Sequence, residues 1–270
     1  MAEHKRWFKP SRTFLAVIGS IAFLLFATFA WGFQTLMCIE FRHQAAKHPI
    51  LIRTPQPLVP VAPNLQQGTV LSHHGFTFEA PWGDFNPQRS KVVGNWAIFV
   101  FDSGLVITFC PPGPTNNDLK STVQEHLGSD ESLERVFGRD ATKSNYAFHS
   151  ALLAETPAKL RPWTSQAEVA RSDVILMYKA ISSVGGDTGL FKVAANGWNG
   201  FQFDDPAKAP KVTLELYGAD DRHIEISIAS RKDAPIHPTQ ADVNRILVSL
   251  RTQEAGTPDT IAPPQKIASR

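Results

Sequence analysis

Hydrophobic and polar positions divide the chain into regimes with different periods. From Thr13 to Ile39 no residue is charged, and Phe, Leu, Ile and Ala dominate. At the helical rise such a run extends roughly 40 Å, against about 30 Å of bilayer hydrocarbon. It predicts a transmembrane helix over residues 13–39. A cleaved signal peptide is the competing reading, with Thr28 and Ala30 ahead of Trp31. The apolar run continues through Phe33, Leu36, Met37 and Ile39, past the short apolar region of a signal peptide, which favours the anchor. Next come Pro49, Pro55, Pro57, Pro60 and Pro63. Prolines at this density remove backbone donors and favour extended geometry, so residues 40–67 read as a stalk.

Beyond the stalk the periods become those of a globular domain, residues 68–251. Phe76 and Phe78 alternate with Thr77 and Glu79 in a short strand, Gly75 to Pro81. Asn95 to Phe101 and Leu105 to Cys110 flank Asp102, Ser103 and Gly104, a three-residue hairpin loop with Gly in the left-handed position. Both faces of this hairpin are apolar, which predicts central strands covered on two sides. Three short helices follow: one carrying Leu119, Val123, His126 and Leu127, one capped by Ser129, and one from Asn145 to Glu155. A longer helix begins at Ser165, boxed with Glu168, and Ala167, Ala170, Val174, Met177 and Ile181 form its expected core stripe.

The chain then turns to strands. Leu190 to Ala195 and Trp198 to Phe203 flank Asn196 and Gly197, a strong hairpin signal. Lys211 to Tyr217 and His223 to Ser230 alternate cleanly, so the four strands predict an antiparallel meander with one buried face. A last helix starts at Thr239, boxed with Asp242, and presents Val243, Ile246, Leu247 and Leu250. From 252 to 270 aperiodic Pro, Thr, Ala and Gln predict a disordered tail. Strands, helices, strands and a closing helix make an α+β fold with an antiparallel sheet and packed helices.

Charge adds orientation. Lys5, Arg6, Lys9 and Arg12 precede the apolar run, opposed only by Glu3; Glu40, Arg42, Lys47 and Arg53 follow it. The positive-inside rule therefore keeps residues 1–12 in the cytoplasm and sends the domain outside, into the periplasm of a Gram-negative cell. A net charge of +2 with both signs interspersed lacks the basic patch of a nucleic-acid protein. Cys38 ends the apolar run and Cys110 follows a strand, so pairing them would require the domain to lie against the bilayer.

Matching the apolar faces of the third and fourth meander strands pairs Leu216 with Ile224 and Leu214 with Ile226. That register sets Glu215 opposite Glu225 and Tyr217 opposite His223, the best polar constellation in the chain. Facing carboxylates repel or share a proton or cation, giving a candidate acid–base or metal face at Glu215, Glu225 and His223. A solvated sheet face screened by water, with Lys192 or Lys211 nearby, is the simpler reading. Trp198 is out of phase with Phe201 and Phe203; with Asn196 and Asn199 it is the candidate partner-binding patch, unless a middle helix covers it. The pair His73 and His74 reads as surface histidines, because neighbours in an extended segment point apart. His126 and His149 sit in helices without a partner at useful spacing. Nucleophile-elbow, phosphate-loop and dinucleotide motifs are absent from the sequence, and nothing in it calls for a cofactor or metal.

The meander closed by a helix ending Ser249, Leu250, Arg251 resembles the PsbP and Mog1 type of α/β/α domain, over roughly residues 75–251 and in element order only. Extra helices between Asp118 and Val184 depart from that type. The resemblance implies a binding or assembly accessory. The expected function is thus a single-pass membrane-anchored, extracytoplasmic interaction or assembly module, with the membrane and an envelope protein as partners. The alternative is an extracytoplasmic hydrolase or metal-dependent enzyme working at the Glu215, Glu225 and His223 face.

Overall fold

A computed structural model describes residues 32, 35–36, 39–40, 42–43, 47–66, 68–112, 119–161, 164–183, 185–231, 234–252 and 258–261. Of the expected transmembrane helix, only residues 32, 35, 36 and 39 fall among these, and all four are helical. The rest of that helix, Cys38 and the cytoplasmic segment 1–12 lie outside the described residues. Among the described residues no helix is long and apolar enough to cross a membrane.

The elements in chain order are α1 (Pro49–Ile52), β1 (Gln56–Pro57), β2 (Thr69–His73), β3 (Phe76–Ala80), β4 (Lys91–Val93), β5 (Trp96–Val100) and β6 (Leu105–Cys110). Then come α2 (Leu119–Leu127), α3 (Asp130–Phe137), α4 (Asn145–Ala154) and α5 (Gln166–Ser182). The chain finishes with β7 (Leu190–Ala195), β8 (Trp198–Phe203), β9 (Lys211–Tyr217), β10 (His223–Ser230), α6 (Gln240–Ser249) and β11 (Arg251–Thr252). This is an α+β fold.

Eight strands form one sheet in the order β1-β7-β8-β9-β10-β6-β5-β4. The meander is antiparallel, but β1 adds parallel to β7, so the sheet is mixed and not purely antiparallel as expected. A second sheet, β11-β3-β2, covers one face together with α6. Phe78 lies between Phe99 and Phe109, at ring-centroid separations of 6.0 and 5.5 Å, and Val243, Ile246 and Leu250 of α6 complete this core. Each such fully buried side chain contributes roughly 1.5–3 kcal/mol. Helices α1, α4 and α5 cover the other face over β7, β8 and β9, where Leu51, Leu153 and Leu176 meet Phe201, Phe203 and Tyr217. The meander is therefore buried on both faces at β8 and β9, where one buried face was expected.

Local signals act as their chemistry dictates. Ser129 and Ser144 accept from backbone amides at the starts of α3 and α4, and capping boxes close on Ser165 with Glu168 and on Thr239 with Asp242. Gly104 adopts φ 88° and its amide bonds Phe101 O, closing the β5–β6 loop as expected. The hairpin, however, lies toward one side of the sheet: Phe99, Ile107 and Phe109 are buried, while Trp96, Ile98, Val106 and Thr108 on the opposite face are half-buried.

Three expectations fail in instructive ways. The core stripe placed on α5 is wrong: Met177 and Ile181 are exposed, and Ser172, Ile175, Leu176 and Lys179 point inward instead. Residues of the expected stalk pack on the domain. Ile50 and Leu51 are buried, β1 joins the sheet, and Asn64 N donates to Ala241 O. The expected disordered tail is ordered where it is described. Thr252 pairs with Phe76, and residues 258–261 lie along β2, with Thr260 N donating to Ser72 O and Ser72 N to Thr260 Oγ1.

Candidate functional site

The register read from the alternation is present: Glu215 faces Glu225, Tyr217 faces His223, Leu216 faces Ile224 and Leu214 faces Ile226. Its environment differs from the solvated face that was expected. Helix α4 lies over β9 and brings His149 onto the pair. His149 Nδ1 is 3.2 Å from Glu215 Oε2 and makes a short hydrogen bond with the Tyr217 hydroxyl. That hydroxyl in turn lies 3.4 Å from Glu215 Oε2. Glu215 is 5 % exposed and His149 is 7 % exposed. The amino end of α4 is held over the β9–β10 turn, where Asn145 N donates to Asp221 Oδ1 at 2.8 Å and Asp221 takes φ 63°.

Burial decides the charge state. Loss of water, together with the Glu225 charge and against the Tyr217 hydroxyl, raises the Glu215 carboxyl to about 8. Burial also lowers His149 to about 3, reinforced by His223. The triad is thus neutral at pH 7, with one acidic proton held between a carboxyl and an imidazole. Glu225 is half-buried; desolvation raises its carboxyl, partly offset by Lys211 and by a bond from Ser227 Oγ to Oε1 at 3.4 Å. His223 stacks on the Tyr217 ring at 4.8 Å. Cys110 stands beside Glu225 in the next strand as a buried thiol outside any disulfide among the described residues, pushed up to about 11 by burial and the Glu225 charge, which is the opposite of nucleophile activation.

Neither family models nor curated proteins match this chain.

General acid–base catalysis needs a substrate within hydrogen-bond reach of the titrating group. Here α4 closes over Glu215. Two clefts, of about 380 and 270 Å3, open elsewhere: the larger beside Arg53, Thr188 and Lys208, the smaller between Leu58–Val61 and Leu247–Val248 of α6. No group of three His, Cys, Asp or Glu among the described residues has metal-binding geometry. The contacts of His149 with Tyr217 and Glu215 latch α4 to the sheet.

The proposed aromatic patch does not form. Trp198 is buried, packed 5.9 Å from Phe76 of β3. It is out of phase with Phe201 as expected, but the second sheet covers that side. Asn196, at φ 49°, donates to Val248 O and Leu250 O, satisfying carbonyls at the end of α6. Asn199 is exposed, opposite Tyr217 in the register. Nor is His73 a surface histidine. It is buried, with Nε2 2.9 Å from Asn95 O and Nδ1 3.2 Å from Asp259 Oδ2, while His74 is exposed.

Two residues escaped the sequence. His149 carried no partner at helical spacing, because its partners lie on β9, 68 residues on and across the layer boundary. Lys179 is fully buried and donates to Arg53 O, Leu153 O and Glu155 O at 2.7, 2.8 and 2.7 Å. Burial lowers its ammonium to about 7 against the pull of Glu155. Three acceptors match the three donors that only the protonated form has. Lys179 thereby fastens the segment after α1 to α5.

Proposed function

We propose that this protein is a single-pass membrane-anchored, extracytoplasmic interaction or assembly module without catalytic activity. The observation that carries the reading is the uncharged apolar run Thr13–Ile39, preceded by Lys5, Arg6, Lys9 and Arg12. A helix of that length spans a bilayer, and the basic flank keeps its amino end in the cytoplasm. Support for the non-catalytic part comes from the enclosure of Glu215 and His149, which leaves the best acid–base groups serving the packing of α4. An accessory role also suits the PsbP and Mog1 type of layout, a sheet covered on both faces, although here one cover includes a second sheet. The envelope partner is tested by isolating the tagged full chain from detergent-solubilised membranes after cross-linking in cells. The expected result is one envelope protein recovered in near-equal amount. Recovery of the chain alone would oppose the reading.

A further inference from the structure

The segment read as a spacer is fastened to the domain from its first described residues, which has a geometric consequence for the membrane. Residues 39, 40, 42 and 43 are helical, continuing the apolar run, and Leu36 and Ile39 are exposed. Three residues after Ile39, Arg42 hydrogen-bonds the turn between α4 and α5. It donates to Pro157 O at 3.2 Å, to Ala158 O at 3.5 Å and to Leu160 O. Helix α1 follows and packs on the same turn, with Ile50 and Leu51 entering the core against Leu176.

The distances fix where this corner sits, given the anchor proposed above. At the helical rise Arg42 stands about 5 Å beyond Ile39, the last apolar residue of the run. The headgroup layer on each side of a bilayer is about 5–8 Å thick. With the roughly 40 Å run tilted so that its apolar end stays at the hydrocarbon boundary, a turn bonded directly to Arg42 lies within the headgroup layer. Lys47, Lys159 and Arg161 lie on or within two residues of α1 and this turn. Glu155 beside the turn is buried, with one oxygen on Ser172 Oγ and the other paired with Lys159 Nζ. Cations close to an anionic lipid surface are attracted to it.

We propose that the Pro157–Leu160 turn and α1 rest in the headgroup layer, meeting anionic lipid phosphates through Lys47, Lys159 and Arg161, so that the domain is held against the bilayer in one orientation. The β2–β3–β11 sheet, on the opposite side of the large sheet from α1, α4 and α5, then faces away from the lipid. The inference rests on the proposed anchor, and the test separates the two.

The full chain, with Cys38→Ser, is reconstituted into phosphatidylcholine–phosphatidylglycerol vesicles containing lipids with a headgroup nitroxide. A fluorophore is attached either at Ala158→Cys in the turn or at Val70→Cys on β2; both positions are exposed, and native Cys110 is buried. The expected result is severalfold stronger quenching at 158 than at 70, reduced at least twofold when Arg42→Gln is added. Equal quenching at the two positions in chains that resist carbonate extraction overturns the inference and leaves the anchor standing. Release of the chain by carbonate overturns both. Circular dichroism of each labelled chain confirms that it is folded, and a second turn label at Lys159→Cys replaces 158 if that variant is not.

Discussion

Replacing Glu215 by Gln should change stability by an amount that depends on pH in a calculable way. Glu215 has its carboxyl raised from 4.5 to about 8 in the folded protein. Between those values the native carboxyl keeps a proton that the unfolded chain has released, so its contribution to stability falls as pH rises through that window. Each pKa unit is worth about 1.4 kcal/mol, and a fully buried carboxyl needs no discount for solvent screening. From about pH 5 to about pH 7.5 the advantage of Glu over Gln should thus fall by about 3 kcal/mol. Which partner of the Glu215–His149 pair holds the proton does not alter the count, because the pair binds one proton in total throughout the window. Lys179 titrates with the opposite sign. Its native value, about 7 against 10.5 unfolded, makes stability rise with pH above 7. His149, lowered from 6.5 to about 3, likewise adds stability as pH rises between those values, and subtracting the Glu215→Gln curve from the wild-type curve removes both contributions. The assay is urea denaturation followed by tryptophan fluorescence, on both chains in the same detergent at a series of pH values. Two curves separated by a constant amount would mean that Glu215 is already ionised in the fold, and would refute the neutral triad.

Other substitutions probe the remaining contacts. Lys179→Met leaves Arg53 O, Leu153 O and Glu155 O without their donor, costing about 3 kcal/mol and speeding hydrogen exchange over residues 50–54; unchanged exchange there would contradict its fastening role. Gly200→Ala drives a Cβ into Glu215 O of the neighbouring strand, and calorimetry should show a loss of about 3 kcal/mol, whereas an unchanged Tm would refute so close an approach. Asp259→Ala removes the carboxylate on His73 and on the His74 amide, so carboxypeptidase should trim the chain past residue 258 faster than in wild type at a cost of about 1 kcal/mol; equal trimming would show that the clasp does not hold the tail.

How much of this was legible follows from the range of each interaction. Val212, Leu214 and Leu216 against Ile224, Ile226 and Ile228 fix the β9–β10 register, since a slip by one residue would turn every one of them outward. Caps at Ser129, Ser165 and Thr239 involve residues three apart, so the sequence shows them directly. The contacts between layers do not announce themselves. His149 reaches Tyr217 across 68 residues, and Trp198 is covered by a sheet of which only β3 carried a clear alternation. On α5 the inward positions include Ser172 and Lys179, because the surface they meet consists of Glu155 and backbone carbonyls, so counting apolar residues selected the wrong side. Prolines 49 to 63 read as a free stalk because their lack of donors is local, whereas the donors that fix this stretch come from elsewhere: Asn244 Nδ2 to Val61 O and Lys179 Nζ to Arg53 O.

Anchorage with the domain outside is tested most directly by protease accessibility. Intact spheroplasts carrying the full chain with a carboxyl-terminal tag are treated with protease, and their membranes are then extracted with carbonate. The account predicts that the untreated chain stays in the carbonate pellet and that the protease destroys the tag without lysis. A chain that partitions to the soluble fraction, or a tag that survives until the cells are broken, would contradict it.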